Sequence, residues 1–194
     1  MKRRPADPRD RMHHVAMAAR RLFVEQGYHR VSIPDIVNVS GVSTGAIYNH
    51  FQSKENLARV THELTLDEFN ARLQARLADG QSAFQMLKAF VDLLLEIAEQ
   101  DPVMMEYMLF MRHGEFLTDI RPICFSEPFR WVQRTIGEGM ARGELRRGVL
   151  LLAAGAFTGA VLRNIELKLN GVFQGSLQAA SRQIMDQAWR TICA

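Results

Sequence analysis

The chain has 194 residues, 47 % of them hydrophobic, enough to bury a core without disulfide or metal staples. Its net charge of +3 is unevenly placed, because residues 1–60 hold ten Lys/Arg against five Asp/Glu while the remainder holds fourteen against sixteen. That asymmetry points to a polyanion as partner of the first third, the alternative being a merely solvated basic face.

Cys124 and Cys193 have no paired spacing and no histidine cluster beside them. A disulfide framework and a metal site are therefore not expected, and a reducing cytoplasm suits the chain best. Met1-Lys2-Arg3-Arg4 is followed by Pro5, Asp7, Pro8, Arg9 and Asp10, where a signal peptide requires an apolar stretch. No export by that route is expected.

Residues 1–9 read as a basic, proline-containing arm. From Asp10 the apolar residues Met12, Val15, Ala16, Ala19, Leu22 and Phe23 recur at three- and four-residue steps, and Gly27 stands where a helix stops. Next come three serine starts in close succession. Ser32 caps a short helix with Pro34 in its first turn and Asp35 in a capping-box relation. Gly41 closes the turn with positive φ, Ser43 caps Thr44 to Phe51, and Ser53 caps a third helix that opens with Lys54 and Glu55. Val31, Ile36, Val42, Ile47 and Phe51 can then converge on one small core, leaving Thr44, Gly45, Ala46, Tyr48, Asn49 and His50 outside it. A helix that shows small and polar residues outward is suited to approaching another molecule closely.

The helix from Ser53 is expected to run past Leu66 to about Leu77, before Asp79-Gly80 breaks it. Further helices are expected over Ala83–Glu99, Pro102–Arg112, Glu127–Ala141, Gly148–Leu169 and Leu177–Ile192, with no alternating strand pattern among them. The longest apolar run, Val149 to Leu162, is short of the ~20 residues that span a bilayer and reads as a buried helix.

The stretch Val42 to Leu57, VSTGAIYNHFQSKENL, resembles the recurrent segment of TetR-type bacterial transcriptional regulators, and the likeness extends over residues 10 to 60. Tyr48 to Glu55 carries it most specifically, since that run encodes a helix end, a cap and a helix start together. The resemblance implies an all-α chain: a basic arm (1–9), a three-helix helix-turn-helix DNA-binding domain (10–60), and a larger helical ligand-binding and dimerisation domain (61–194). It implies a cytoplasmic, nucleoid-associated homodimer joined through its last two long helices, holding a palindromic or pseudo-palindromic double-stranded operator and released by a small-molecule effector with an apolar portion. Neither enzyme activity nor a cofactor, metal or membrane partner is implied.

On this reading Tyr48, His50 and Lys54 suit phosphate oxygens, while Thr44 and Asn49 reach base edges. Ala46 can touch a thymine methyl and Gly45 lets backbone come close; Ser32 and Ile33 complete the expected DNA contacts. Direct readout of bases looks thin, so groove shape is expected to contribute, with Lys2, Arg3, Arg4 and Arg9 available to a narrow minor groove. Two departures from the family pattern stand out. Val37 replaces the usual alanine against the turn, and Pro34 replaces a polar side chain.

For the effector, the suggestive residues are Met104, Met105, Met108, Met111 and Phe116, with Arg112, His113 and Asn164 to orient a polar group. The alternative is that this methionine-rich segment is ordinary core. Small residues between Ala153 and Ala160 suit close helix approach at a dimer interface. Two readings from other classes compete: a helical protein-interaction adaptor, and a small enzyme using His113, Glu115 and Cys124, for which no nucleophile, base and orienter set is visible.

Overall fold

A computed structural model describes residues 8–117 and 126–193. The expected contributions of Lys2, Arg3, Arg4 and Cys124 lie outside the described residues. Among the described residues there are nine α-helices and no strand: α1 (Pro8–Gln26), α2 (Ile33–Ser40), α3 (Thr44–Phe51), α4 (Lys54–Gln74), α5 (Ala83–Gln100), α6 (Pro102–Met105), α7 (Glu127–Arg142), α8 (Leu150–Leu169) and α9 (Leu177–Arg190). The chain divides into two compact units. One comprises the described residues up to Thr65 together with those from Glu106 to Leu117; the other comprises Leu66–Met105 and the described residues from Ser126 onward.

In the first unit α1, α2 and α3 pack on one another. Val15, Ala16, Ala19, Leu22 and Phe23 of α1 close over Ile36, Ile47 and Phe51, with Leu57 and Ala58 of α4 completing the core. Tyr107 and Leu117 from the later segment are buried in that same core. This segment departs from expectation. Instead of one helix over Pro102–Arg112, α6 gives way after one turn to a π-helical turn, Glu106–Phe110, closed by the Met111 amide donating to the Glu106 carbonyl at 2.9 Å. A 3-10 turn, His113–Glu115, follows. The wide turn surrounds Tyr107, whose ring is fully buried and whose hydroxyl donates to the Ala58 carbonyl at 3.1 Å.

In the second unit α5 is central, packing on α7, α8 and α9, and its Leu87, Phe90, Val91, Leu93, Leu94, Leu95 and Ile97 leave few sides open to solvent. Its start is set locally, by a capping box between Ser82 and Gln85. Trp131 of α7 stacks on Phe90, and Phe69 meets Phe90 edge-on at 5.7 Å. Arg72 and Arg76 both ion-pair with Glu96, at 2.9 and 2.8 Å. The helix α4 ends at Gln74 rather than Leu77, because Arg76 and Leu77 bond back three residues and tighten the last turn.

The expectation of a buried helix over Val149–Leu162 is corrected. Ala154, Phe157, Val161 and Ile165 are buried on one side of α8, but Val149, Leu151 and Leu152 are 66 %, 61 % and 71 % exposed, and Gly155, Ala156 and Gly159 are open as well. The α8 helix as a whole spans 20 residues and is, by length and composition alone, apolar enough to cross a bilayer, contrary to the shorter run judged from sequence. One helix has thus two apolar faces, and a single chain covers only one of them.

Candidate nucleic-acid interface

The helix-turn-helix is built from local bonds. The Ser32 hydroxyl accepts from the Asp35 amide at 3.3 Å, and the Asp35 carboxylate accepts from the Ser32 amide at 2.8 Å. The Ser32 hydroxyl also donates to the Asp35 carboxylate at 2.5 Å, and this bond, with that from the Ser32 amide, holds the Asp35 carboxyl below the usual carboxylate range. The α2 helix ends at Gly41, whose φ of 69° lets its amide reach the Val37 carbonyl at 2.8 Å. Val37 is partly buried against the core and Pro34 is exposed in the first turn of α2.

Ser43 then caps α3, its hydroxyl accepting from Ala46 at 3.4 Å. Ile47 and Phe51 point into the core, whereas Thr44, Gly45, Ala46, Tyr48, Asn49 and His50 are all exposed, Tyr48 by 48 %. Among the described residues, no atom beyond the helix's own neighbouring backbone lies within 4 Å of where a Gly45 side chain would begin. The turn from α3 into α4 is tight. Gln52 takes a φ of 67°, unusual outside glycine, the Ser53 hydroxyl accepts from the Asn56 amide at 3.0 Å, and the Asn56 side-chain amide donates to the Phe51 carbonyl at 2.9 Å.

Two of the expected DNA contacts sit differently. Ile33 is a core residue, so its side chain is not offered outward. Lys54 turns inward: its ammonium donates to the Tyr28 carbonyl at 3.0 Å and the Val31 carbonyl at 2.9 Å, and lies 4.2 Å from the centre of the Tyr28 ring. Burial lowers its pKa. A charge already held by two carbonyls and a ring face is poorly placed to anchor a phosphate. Sequence spacing could not reveal this, because the partners lie 26 and 23 residues earlier.

The expected effector residues are divided between the units. Met104 and Met105 are buried in the second unit, and there the Asn164 amide donates to the Ala160 carbonyl of its own helix at 2.8 Å. Met108, Met111, Arg112, His113 and Phe116 belong to the first. Of these, Met108 and His113 are buried, Arg112 is exposed and pairs with Glu115, and Phe116 stacks on Tyr28. Met111, Arg112 and Phe116 share an open groove of about 330 Å³ with Gln26, Gly27, Tyr28, His29, Arg30 and Glu115. Tyr28, passed over in the sequence as the residue after a helix stop, is the aromatic hub of this unit, touching Phe23, His29 and Phe116.

Residues 17–60 match the family described as bacterial regulatory proteins, tetR family. The chain is 24 % identical over 147 residues to the HTH-type transcriptional repressor KstR2 of Mycolicibacterium smegmatis, covering 73 % of this chain and 71 % of that protein. A tetR family transcription regulator from Shewanella sp. PV-4 superposes with a TM-score of 0.79 at 20 % identity, over 95 % of this chain and 98 % of its own. FadR from Bacillus subtilis, solved in complex with stearoyl-CoA, superposes with a TM-score of 0.76 at 19 % identity, over 92 % and 98 %. These relatives are transcriptional regulators rather than enzymes. With its capped, glycine-hinged α2 and α3, the stretch 17–60 carries the helix-turn-helix described for bacterial regulatory proteins of the tetR family, and the chain as a whole shares the fold of solved tetR family regulators.

Proposed function

We propose that the chain is a ligand-released repressor that binds a palindromic or pseudo-palindromic operator in the cytoplasm as a homodimer, each copy laying α3 in a major groove. The observation that carries this reading is the division of α3: Ile47 and Phe51 are buried while every other side chain from Thr44 to His50 is exposed. Tyr48 and His50 act on phosphates, Thr44 and Asn49 on base edges, and Ala46 and Gly45 allow close approach. Ser32 serves the interface through its cap on α2. Arg9 and the basic arm add minor-groove contacts.

Residues 10–60 form the DNA-binding domain, residues 61–194 the effector and dimerisation domain, and the segment from Glu106 to Leu117 connects them functionally. The exposed apolar face of α8, with Gly155, Ala156 and Gly159 allowing close approach, supports pairing with a second copy through α8 and α9. An effector with an apolar portion suits Met104 and Met105, and the same fold in FadR from Bacillus subtilis holds stearoyl-CoA. Its binding moves the Glu106–Leu117 segment and changes the spacing of the two α3 helices, which must match half-sites about 34 Å apart.

Selection of duplexes from a random pool, followed by a salt titration of the selected sequence, tests the reading. A palindromic consensus and a log-log salt slope of about −0.9 per phosphate contact are expected. A flat salt response, or binding unaffected by Tyr48→Ala, would favour the adaptor reading instead.

A further inference from the structure

A ring has two faces, and both faces of Tyr28 are occupied. Phe116 stacks on one, with centroids 4.0 Å apart and planes inclined by 11°. A parallel ring that close leaves no room for a second group on the same side, so the Lys54 ammonium, 4.2 Å from the centroid, lies on the other. Phe116 comes from the segment at Glu106–Leu117, Tyr28 from the turn after α1, and Lys54 is the first residue of α4. The same ammonium holds the Tyr28 and Val31 carbonyls, and Val31 leads directly into the Ser32 cap of α2.

We infer that the Phe116–Tyr28–Lys54 sandwich is the joint through which the helix-turn-helix reads the position of the Glu106–Leu117 segment, with Lys54 a positioning residue rather than a phosphate contact. Displacing Phe116 frees one face of Tyr28. The ring is then no longer pressed against the ammonium, the two carbonyl bonds lose their fixed geometry, and the start of α2 and the start of α4 are released together. Stacking and cation–π attraction both fall off within a few ångströms, so a small shift of the segment suffices. This inference rests on the DNA-binding reading above and adds which contacts transmit the signal.

A double-mutant cycle tests it in the full chain, using the duplex selected by the unaltered protein. Affinity and salt slope are measured for the parent, Phe116→Ala, Lys54→Met and the pair. Transmission through Tyr28 makes the effects non-additive, by about threefold or more, although Phe116 and Lys54 sit on opposite faces of the ring. Lys54→Met leaves the salt slope unchanged, and Phe116→Tyr, which keeps the flat ring, restores affinity to near the parent value. Should Phe116→Ala fail to fold, Phe116→Leu keeps apolar bulk without the flat face and replaces it in the cycle. Additivity within about twofold overturns the inference, as does a salt slope shallower by about 0.9 on Lys54→Met, which would make Lys54 a phosphate contact. Failure of the parent to bind any duplex in a salt-dependent way would instead remove the DNA-binding reading, and the joint with it.

Discussion

His62 and His113 face one another inside the first unit, with ring centroids 4.3 Å apart and each only 7 % exposed. Among the described residues His62 Nδ1 and His113 Nε2 have no hydrogen-bond partner, so a proton gained there would be a buried charge, offset at His113 only in part by its hydrogen bond with the Met111 backbone. Burial, with the neighbouring His62 adding to it, pushes His113 from its ordinary 6.5 down to about 3, and burial lowers His62 as well. A histidine whose folded pKa is depressed is neutral in the native state, while the unfolded chain takes up the proton below about 6.5. Stability is therefore full above 6.5 and falls as the pH drops from there toward 3. Taking those two values, His113 alone removes about 2 kcal/mol between pH 7 and pH 5, close to the limiting slope of about 1.4 kcal/mol per pH unit. His62 contributes in the same direction.

The assay is urea unfolding followed by far-UV circular dichroism at pH 7, 6 and 5, on the parent and on His113→Leu. Trp131 and Trp189 both lie in the second unit, so fluorescence reports that unit separately. The window also avoids Glu96, Glu127 and Glu144, whose carboxyl pKa values are all lowered by arginine partners, so that their contribution is lost only at lower pH. His113→Leu should lose about 2 kcal/mol less than the parent over this range. Parallel pH dependences in the two proteins would refute the reasoning.

Other predictions concern local packing and assembly. Ser32→Ala removes half of the capping box and should cost about 1 kcal/mol, read as a lower urea midpoint at unchanged m. Gly139→Ala would place a methyl 2.8 Å from Leu145 Cδ1 and 2.9 Å from Ala83 Cβ; Leu145 can rotate but a Cβ cannot, so α5 and α7 must separate at a cost of about 1–3 kcal/mol in thermal or urea unfolding. Leu152→Glu changes a side chain that the single chain leaves open, so the circular dichroism should not move. In sedimentation velocity, dimerisation through α8 should weaken about a hundredfold or more, since each of two buried leucines is worth roughly 2 kcal/mol; an unchanged sedimentation profile would place the dimer contact elsewhere.

What the sequence determined by itself is whatever rests on neighbours within a turn or two along the chain. The Ser32–Asp35 box, the positive φ of Gly41, the Ser43 and Ser53 caps and the split of α3 into buried and exposed faces are all bonds or spacings of a few residues. They carry the likeness to tetR family regulators that the match over residues 17–60 bears out. The tertiary structure decided what depends on residues far apart in the chain. It turned Lys54 toward Tyr28 and Val31, and buried Ile33. It also brought His113 onto His62, opened the π turn around Tyr107, and left one apolar face of α8 uncovered. Periodicity reports that a side chain is apolar or charged, but which distant surface meets it is settled only when the helices pack. For that reason the exposed face of α3 was legible from the first, while the distant residues packed around Tyr28 and Tyr107 were not.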